Sequence, residues 1–438
     1  MSASLPPPAV CRAGCATVTI TPPVGVSLAG YFHDRISESV RDDLCAHALV
    51  LEQDGERIAL VSCDLISIDA ETADPAKRLI QEQTGIPPER VLICATHTHT
   101  GPEIRRGGVV PRMDEWVEEL PARIAQCVGE AAEGMFAATL RPNRTCAEGL
   151  SWNRLWRVKD GREVFGRPAD AIGPAGPIDP EVVTVGVVDE HNKLRALVAN
   201  FALHVDVIGG GSANFISADW PGELKRAVQG VYGEDIVTVF LQGTCGDINH
   251  WTHVPTHLPT GGPQKSMQIG RALAGAAMYA TERAEPVSEL KLDGALGLIP
   301  IPYYTRDERL LAEVAELKKQ EKLGDFERFL VKRTEEWPYD GKSVDTPIQC
   351  LRIGDIAIVG LPAEIFVRIG LEIKHFSPAA YTMVVELANA RVTNYVPTTD
   401  QAERGAYGAK PILSRWLCSD AGRRMADTAQ VMLRRLWE

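Results

Sequence analysis

Two histidines separated by one residue are the most informative chemical feature of the sequence. His97 and His99 follow an apolar run, residues 91–94, within the stretch Ala-Thr-His-Thr-His-Thr-Gly-Pro at 95–102. Side chains two residues apart on an extended strand face the same side. Neutral imidazole is a preferred zinc ligand. The pair therefore indicates a zinc site. The alternative is a strand end whose histidines only hydrogen-bond their own loop.

Two further residues could complete such a site. Catalytic zinc takes three protein ligands, chosen among histidines and carboxylates, and keeps one position for water. His204 follows another apolar run, and Glu364 stands at a predicted strand-to-helix junction. Bound zinc lowers the pKa of water toward about 7, which supplies hydroxide to attack a carbonyl at neutral pH. For Glu364 the alternative role is a carboxylate that stabilises a helix N-terminus.

Competing catalytic patterns are missing from the sequence. It contains no Gly-x-Ser-x-Gly elbow, no Walker A loop and no Gly-x-Gly-x-x-Gly stretch, which disfavours serine hydrolases and nucleotide enzymes. We interpret the histidines within residues 250–257 as ordinary loop histidines rather than ligands of a second metal. Asp219 and Asp247 suit the capping of helices or turns as well as they suit chemistry, and at most they support the ligands from outside.

A β-α-β unit positions the histidine pair. Residues 57–63 and 91–95 are predicted strands, and residues 71–83 between them have helical periodicity. The first strand ends at Asp64 and the second leads to the histidines. Open α/β sheets bind ligands at the carboxyl ends of their strands, so the metal site is expected there.

The rest of the chain continues this alternation of strands and helices. A hairpin over 182–202 leads to His204, residues 149–176 are predicted to form a functional loop, and residues 306–334 a solvated helical pair. No repeat or linker interrupts the pattern. The predicted fold class is α/β, a single elaborated domain over residues 1–438 with mixed β-sheets flanked by helices, the metal site at strand C-terminal ends and no separate C-terminal domain.

Composition and charge narrow the classes of partner. The chain has 438 residues, of which 45% are hydrophobic and 24% charged, as is ordinary for globular proteins. A net charge of −12 disfavours nucleic-acid binding. There is no apolar run near the roughly 20 residues of a membrane helix, and no secretion signal is evident. The ten cysteines form no Cys-x-x-Cys pair, which fits reduced thiols. We expect a cytoplasmic protein without stable membrane anchoring, with a homo-oligomer left open.

The motifs together resemble the catalytic domain of the neutral/alkaline non-lysosomal ceramidases. Residues 95–102 are close to that family's Ala-Thr-His-Thr-His-Ser-Gly-Pro motif, and residues 389–398 are similar to its Asn-Ala-x-x-x-Tyr-Val-Thr-Thr stretch. Weaker similarities at 13–31, 151–154 and 246–247 extend the resemblance over most of the chain. The resemblance implies that zinc is held by His97, His204, Glu364 and Tyr395.

The resemblance also implies roles for three residues beside the metal. His99 then acts next to zinc instead of binding it, either as a proton donor to the leaving amine or as a group that holds the tetrahedral oxyanion. Arg154 and Tyr407 match positions that polarise and stabilise the reacting carbonyl. The alternative for these two side chains is simple packing or a surface ion pair.

The chain departs from the family at residues 246–251. The family's Gly-Asp-Val-Ser-Pro-Asn is here Gly-Asp-Ile-Asn-His-Trp, so Asn249 replaces the serine. The family's ceramide-cleaving members typically carry a secretion signal and a C-terminal immunoglobulin-like domain, and we expect neither here. The segments 149–176 and 249–262 are predicted to shape the pocket. Their polar character indicates a small or polar amide as substrate rather than ceramide.

The leading hypothesis is a zinc-dependent amidohydrolase, ceramidase-like, that cleaves a C–N amide bond of a small-molecule substrate through metal-activated water. A second hypothesis is a metal-dependent lyase that acts on a uronate-containing glycoside, in which the basic segment 154–167 binds the sugar carboxylate. A third is a non-catalytic metal-binding protein, in which Asn249 marks lost chemistry.

Overall fold

The computed structural model describes residues 7–166, 168–253 and 256–438. Its strands, in chain order, are β1 Cys11–Thr19, β2 Ser39–Val40, β3 Cys45–Gln53, β4 Glu56–Cys63, β5 Val91–Ala95, β6 Phe136–Cys146, β7 Trp152–Asn153, β8 Leu155–Val158, β9 Glu163–Phe165, β10 Ala171–Pro174, β11 Glu181–Asp189, β12 Leu194–Phe201, β13 Phe215–Ile216, β14 Val237–Gln242, β15 Ile248–Asn249, β16 Leu292–Pro302, β17 Ser343–Ile353, β18 Ile356–Gly360, β19 Glu364–Ile365, β20 Tyr381–Val385 and β21 Tyr395–Val396.

The helices, in chain order, are α1 Ala70–Thr84, α2 Asp114–Glu133, α3 Asp219–Tyr232, α4 Gly262–Glu282, α5 Glu308–Leu317, α6 Asp325–Glu335, α7 Val367–Phe376, α8 Thr399–Glu403 and α9 Ala421–Trp437. A short 3-10 turn, Pro88–Arg90, leads into β5. Among the residues described, no helix combines the length and apolarity needed to cross a membrane.

Two mixed sheets form the framework. The larger has the strand order β14-β12-β11-β6-β1-β3-β4-β5, with parallel pairs at its two ends, β12 with β14 and β4 with β5. The smaller has the order β16-β17-β18-β20, with β18 and β20 parallel. The hydroxyl of Ser62 in β4 donates to the carbonyl of Phe240 in β14, so the two ends of the larger sheet approach each other.

The two sheets pack face to face and helices cover their outer faces. Leu49 and Leu60 of the larger sheet share one apolar cluster with Ile358 and Met383 of the smaller. Helices α1 and α2, and farther along α3 and α4, cover the other face of the larger sheet, while α7 and α9 cover the smaller one. Strands buried on both faces read as continuous apolar runs. The predicted fold class is confirmed: mixed sheets flanked by helices.

The predicted β-α-β unit is confirmed. Helix α1 begins after Asp69, whose carboxylate accepts from the Thr72 backbone N–H at 3.1 Å, and ends at Gly85 with a φ of 75°. Strands β4 and β5 on either side of it are parallel neighbours. The predicted hairpin before His204 is β11 and β12.

The structure corrects part of two predictions about the connecting segments. Residues 149–176, predicted to form a functional loop, contain β7 to β10, three of which form a small sheet. The predicted helical pair is present as α5 and α6, but it is not simply solvated, because Leu310 and Leu330 are buried in a cluster of their own beside Trp337. The assignment of residues 1–438 to one catalytic domain stays a prediction.

Candidate metal centre and catalytic cleft

The loop after β5 carries the histidine pair and is fixed at both residues. The His97 backbone N–H donates to the Leu65 carbonyl at 2.9 Å, and the His99 N–H donates to the Val205 carbonyl at 3.0 Å. The backbone is not extended here, since His97 has a φ of 75°, a conformation that is uncommon for residues other than glycine. The two rings therefore converge because the backbone of His97 is left-handed. The alternation of an extended strand, which we assumed from the sequence, does not explain their convergence.

Three imidazoles face one point. The Nε2 atom of His97 lies 3.0 Å from His204 Nε2 and 3.3 Å from His99 Nε2. The Nδ1 atom of His97 lies 2.7 Å from the Ile66 carbonyl oxygen, and that of His204 lies 3.3 Å from the Cys245 carbonyl oxygen. A carbonyl only accepts, so these Nδ1 atoms carry the protons and the Nε2 lone pairs face each other. These lone pairs repel one another, and a cation bound between them would replace that repulsion with coordination bonds.

A carboxylate completes the donor set. Strands β19 and β21 are parallel and pair Glu364 with Tyr395, which brings together two residues far apart in the sequence. Glu364 Oε2 lies 3.4 Å from His97 Nε2 and 3.7 Å from His204 Nε2. This oxygen is buried and has no hydrogen-bond partner among the described residues. An acceptor left unpaired in the interior is costly, and a metal ion would satisfy it. The residues present therefore fit a zinc ion.

The electrostatics of the cluster favour the metal-binding protonation forms of His99 and Glu364. Burial lowers the pKa of His99 to about 3, with a further contribution from His97. Burial raises the pKa of Glu364, but His97, Tyr395 and His99 together outweigh it and the net shift is downward. Burial lowers the pKa of His97, while Glu364 and Glu386 raise it overall. A neutral His99 and an ionised Glu364 are the forms that bind metal.

Arg154 supplies a buried positive charge beside the cluster. Its backbone N–H donates to the Asp247 carbonyl at 2.8 Å. Its guanidinium donates to the Tyr395 hydroxyl at 3.4 Å and lies 4.2 Å from the centre of the Tyr407 ring. In the described part of the chain, no carboxylate lies within ion-pair distance of Arg154. A buried cation without an ion pair is suited to stabilise a negatively charged oxygen.

One cleft of about 1210 Å³ brings together every site residue predicted from the sequence. These residues line it: His97, His99, His204, Glu364, Tyr395, Arg154 and Tyr407. Tyr407 is 42% exposed, whereas the three histidines are at most 9% exposed. The metal-facing atoms thus lie at the buried end of the cleft and Tyr407 lies toward solvent.

The segment 149–176, which was predicted to shape the pocket, contributes little to the cleft. Of its described residues only Arg154 lines the cleft. Arg157 lies 3.7 Å from Glu163, and Arg162 forms an ion pair with Asp160 at 2.8 Å. Arg167 lies outside the described residues. The lyase hypothesis, which needs these arginines to bind a uronate, loses its main support.

Helix α6 forms a wall that the sequence reasoning missed. Phe326 and Phe329, three residues apart on one helix face, lie 5.9 and 6.0 Å from the Phe32 ring. The Arg333 guanidinium packs against the Trp416 ring at 4.9 Å. All five side chains line the cleft. The spacing of the two phenylalanines was visible in the sequence, but nothing in it showed which surface they face.

Glu386 is a further residue that the sequence reasoning missed. It follows β20, and its carboxylate accepts from the Cys245 backbone N–H at 3.0 Å and from the Ile365 N–H at 2.7 Å. Cys245 supplies the carbonyl that fixes the His204 ring, and Ile365 directly follows the metal-facing Glu364. Burial raises the pKa of Glu386 to about 8. The sequence feature that could have identified Glu386 is its position at the end of a strand, which it shares with His97.

The capping interpretation of two aspartates agrees with the structure. Asp247 accepts from the backbone N–H of Val367, the first residue of α7, at 2.8 Å. Asp219 accepts from the Val207 N–H at 2.7 Å, and so orders the loop after His204. Both carboxylates organise the centre without lining the cleft.

Asp64 does not share the cleft but belongs to a separate buried ion pair. Its two oxygens accept from Lys225 Nζ at 2.7 and 2.9 Å. Cys45 and His47 stand close enough to Asp64 to form a group with metal-ligand chemistry. The Lys225 ammonium already supplies the cation there, so we assign this cluster a structural role.

Substituting Lys225→Met should destabilise the fold by about 3–5 kcal/mol, because it leaves a buried carboxylate unpaired. Burial raises the pKa of Asp64, but Lys225 and His47 outweigh it and hold that pKa below its usual range. The stabilisation is therefore present above the unfolded-state pKa of about 3.9 and is lost as pH falls through the folded value. Urea unfolding at pH 7 measures the difference in the free energy of unfolding between the variant and the parent protein.

Lys193→Met is the matched control, since Lys193 pairs with Asp235 on the surface at 3.4 Å and both side chains are about half exposed or more. Its free energy of unfolding should change by no more than about 0.5 kcal/mol. Equal losses in the two variants would contradict the structural role of the buried pair.

Comparisons with known proteins agree with this architecture. No protein-family model matches the sequence, and no curated protein does either. The neutral ceramidase from Pseudomonas aeruginosa is similar in structure, with a TM-score of 0.76 at 19% identity over 99% of this chain and 75% of that one. A ceramidase complexed with C2 gives a TM-score of 0.74 at 19% identity, over 99% and 76% of the two chains. The chain has a neutral-ceramidase-like fold, as the sequence resemblance implied.

Proposed function

We propose that the protein is a zinc-dependent amidohydrolase that cleaves a C–N amide bond. The observation that carries the proposal is the convergence of three imidazole Nε2 atoms and an unpaired Glu364 oxygen at the buried end of a cleft. Nitrogen and carboxylate donors without thiolates suit zinc. The ceramidase-like fold supports amide hydrolysis as the reaction class.

His97, His204, Glu364 and Tyr395 would hold the metal. When bound, zinc activates a water molecule and polarises a carbonyl oxygen. The Arg154 guanidinium, with the Tyr407 ring packed against it, would stabilise the charge that develops on that oxygen during attack. These contributions come from residues already fixed in the folded chain, so no rearrangement is needed at the moment of reaction.

His99 is proposed to act beside the metal. Its Nε2 lies 3.3 Å from His97 Nε2 and its Nδ1 is buried without a partner among the described residues. This placement supports a role in holding the oxyanion, and it equally suits a third imidazole ligand. A difference in metal content between variants of the two histidines separates these roles.

The proposed substrate is a small or polar amide rather than ceramide. Arg333 lines the cleft without an ion pair among the described residues and supplies positive charge near its wall, whereas Arg105 and Arg106 are paired with Glu103 and Glu71. Phe326 and Trp416 supply apolar surface for a hydrocarbon portion of the same molecule. A cytoplasmic location, the lack of a nucleic-acid partner and a homo-oligomer stay sequence predictions.

Treatment with 1,10-phenanthroline should reduce amide hydrolysis to background, and added zinc should restore it, because the proposed reaction depends on metal-activated water. Amine release from a panel of N-acyl amides is the measurement. The non-chelating isomer 1,7-phenanthroline is the control for inhibition by the aromatic compound itself. Undiminished hydrolysis by protein shown to be free of metal would refute the proposal.

A further inference from the structure

A second histidine site lies in the same cleft and takes no part in the metal cluster. His250 is 6% exposed and lines the cleft together with Asp206. Strand β15 pairs with β7, with Asn249 opposite Trp152, and this pairing fixes the backbone just before His250. The Nδ1 atom of His250 lies 3.4 Å from Asp206 Oδ1.

Asn249 hydrogen-bonds to both His250 and Asp206. Its amide nitrogen lies 3.2 and 3.0 Å from the two Asp206 oxygens, and its amide oxygen accepts from the His250 backbone N–H at 2.7 Å. The buried Nδ1 of His250 has no hydrogen-bond partner among the described residues, so Asp206 Oδ1 is its polar neighbour. An imidazole whose Nδ1 faces a fixed carboxylate keeps its proton on Nδ1, and this leaves Nε2 as the base.

We infer that His250 transfers the proton during amide cleavage and that Asp206 is the residue that positions it. The inference rests on the proposed function. It assigns the proton transfer to a group outside the metal cluster, in which the Nε2 atoms of His97, His99 and His204 face one another. The contact of 3.4 Å is long for a hydrogen bond, as is common for catalytic pairs without substrate.

The proton balance of the step is simple. As water adds to the amide carbon, one of its protons passes to Nε2 of neutral His250. When the C–N bond breaks, its electron pair stays on nitrogen and the same proton passes from His250 to that nitrogen. The products are a carboxylic acid and an amine, and His250 returns to its neutral form. Asp206 keeps its charge throughout and stabilises the transient imidazolium.

His250→Gln tests this with two amides that share one small acyl group, a propylamide and a p-nitroanilide. Propylamine leaves only with a proton, whereas p-nitroaniline delocalises the electron pair. The variant should lose about 10²–10⁴-fold in kcat on the propylamide and much less on the p-nitroanilide. Imidazole should partly restore propylamide cleavage by His250→Ala. Zinc content should equal that of the parent protein.

His253→Gln is the matched control, because His253 lies in the same loop but packs against Trp156, with ring centres 4.5 Å apart, and does not line the cleft. It should cleave both amides at the parent rates. An equal loss on the two amides in His250→Gln, or no loss, would overturn the inference while leaving the proposed function intact. Failure of the zinc-loaded parent to cleave any amide would overturn the proposed function, and the inference with it.

Discussion

Substituting His97→Ala should remove bound zinc and amide hydrolysis together. The His97 Nε2 atom is the centre of the cluster, within 3.4 Å of His204, His99 and Glu364. Its Nδ1 bond to the Ile66 carbonyl fixes the ring, and such outer contacts alone change metal affinity by about 10–100-fold. Loss of the ligand itself should cost more. Metal analysis after dialysis and amine release measure the two effects.

His99→Ala separates the two roles proposed for that residue. A group that only holds the oxyanion leaves zinc content unchanged and lowers kcat, by about 10²–10³-fold for a single donor. A third ligand lowers zinc content as His97→Ala does. His191→Ala is the control for histidine removal as such, because that side chain is 82% exposed. Full zinc content in His97→Ala would contradict the proposal that His97 binds the metal.

Substituting Arg154→Met should lower kcat by about 10²–10³-fold while zinc stays bound, since the guanidinium is proposed to act on the charge of the transition state. Methionine keeps most of the volume that packs against Tyr407. Arg154→Lys should recover little of the loss, because an ammonium is a compact, strongly hydrated charge and does not stack over the Tyr407 ring as the guanidinium does. Steady-state kinetics with zinc analysis on each preparation are the measurement.

Arg157→Met is the matched control for Arg154. It lies three residues farther along the same segment, its side chain is 55% exposed, and it does not line the cleft. Its kcat should equal that of the parent. A change confined to KM in Arg154→Met would indicate ground-state binding of substrate, and loss of zinc would indicate a structural role. Either result would contradict the role in the transition state.

The sequence determined the strands and the chemistry at their ends. Strands that are buried on both faces carry mostly apolar residues along their length. For this reason β4, β5 and β12 could be recognised in the sequence as apolar runs, and the polar residues after them could be identified as candidates for the site. The helical periodicity of residues 71–83 indicated α1 in the same way. The family resemblance added Tyr395 and the roles of Arg154 and Tyr407, which no periodicity indicated.

Only the tertiary structure decided how these ends meet. The pairing of β19 with β21 sets Glu364 beside Tyr395, and the left-handed backbone at His97 turns its ring toward His204. The aromatic wall of α6 and the pair of His250 with Asp206 depend on contacts of the same kind. Periodicity reports which face of an element is apolar, whereas the partner of that face is set by packing between elements distant in the chain. That information is carried by shape and by long-range hydrogen bonds, and a local pattern does not contain it.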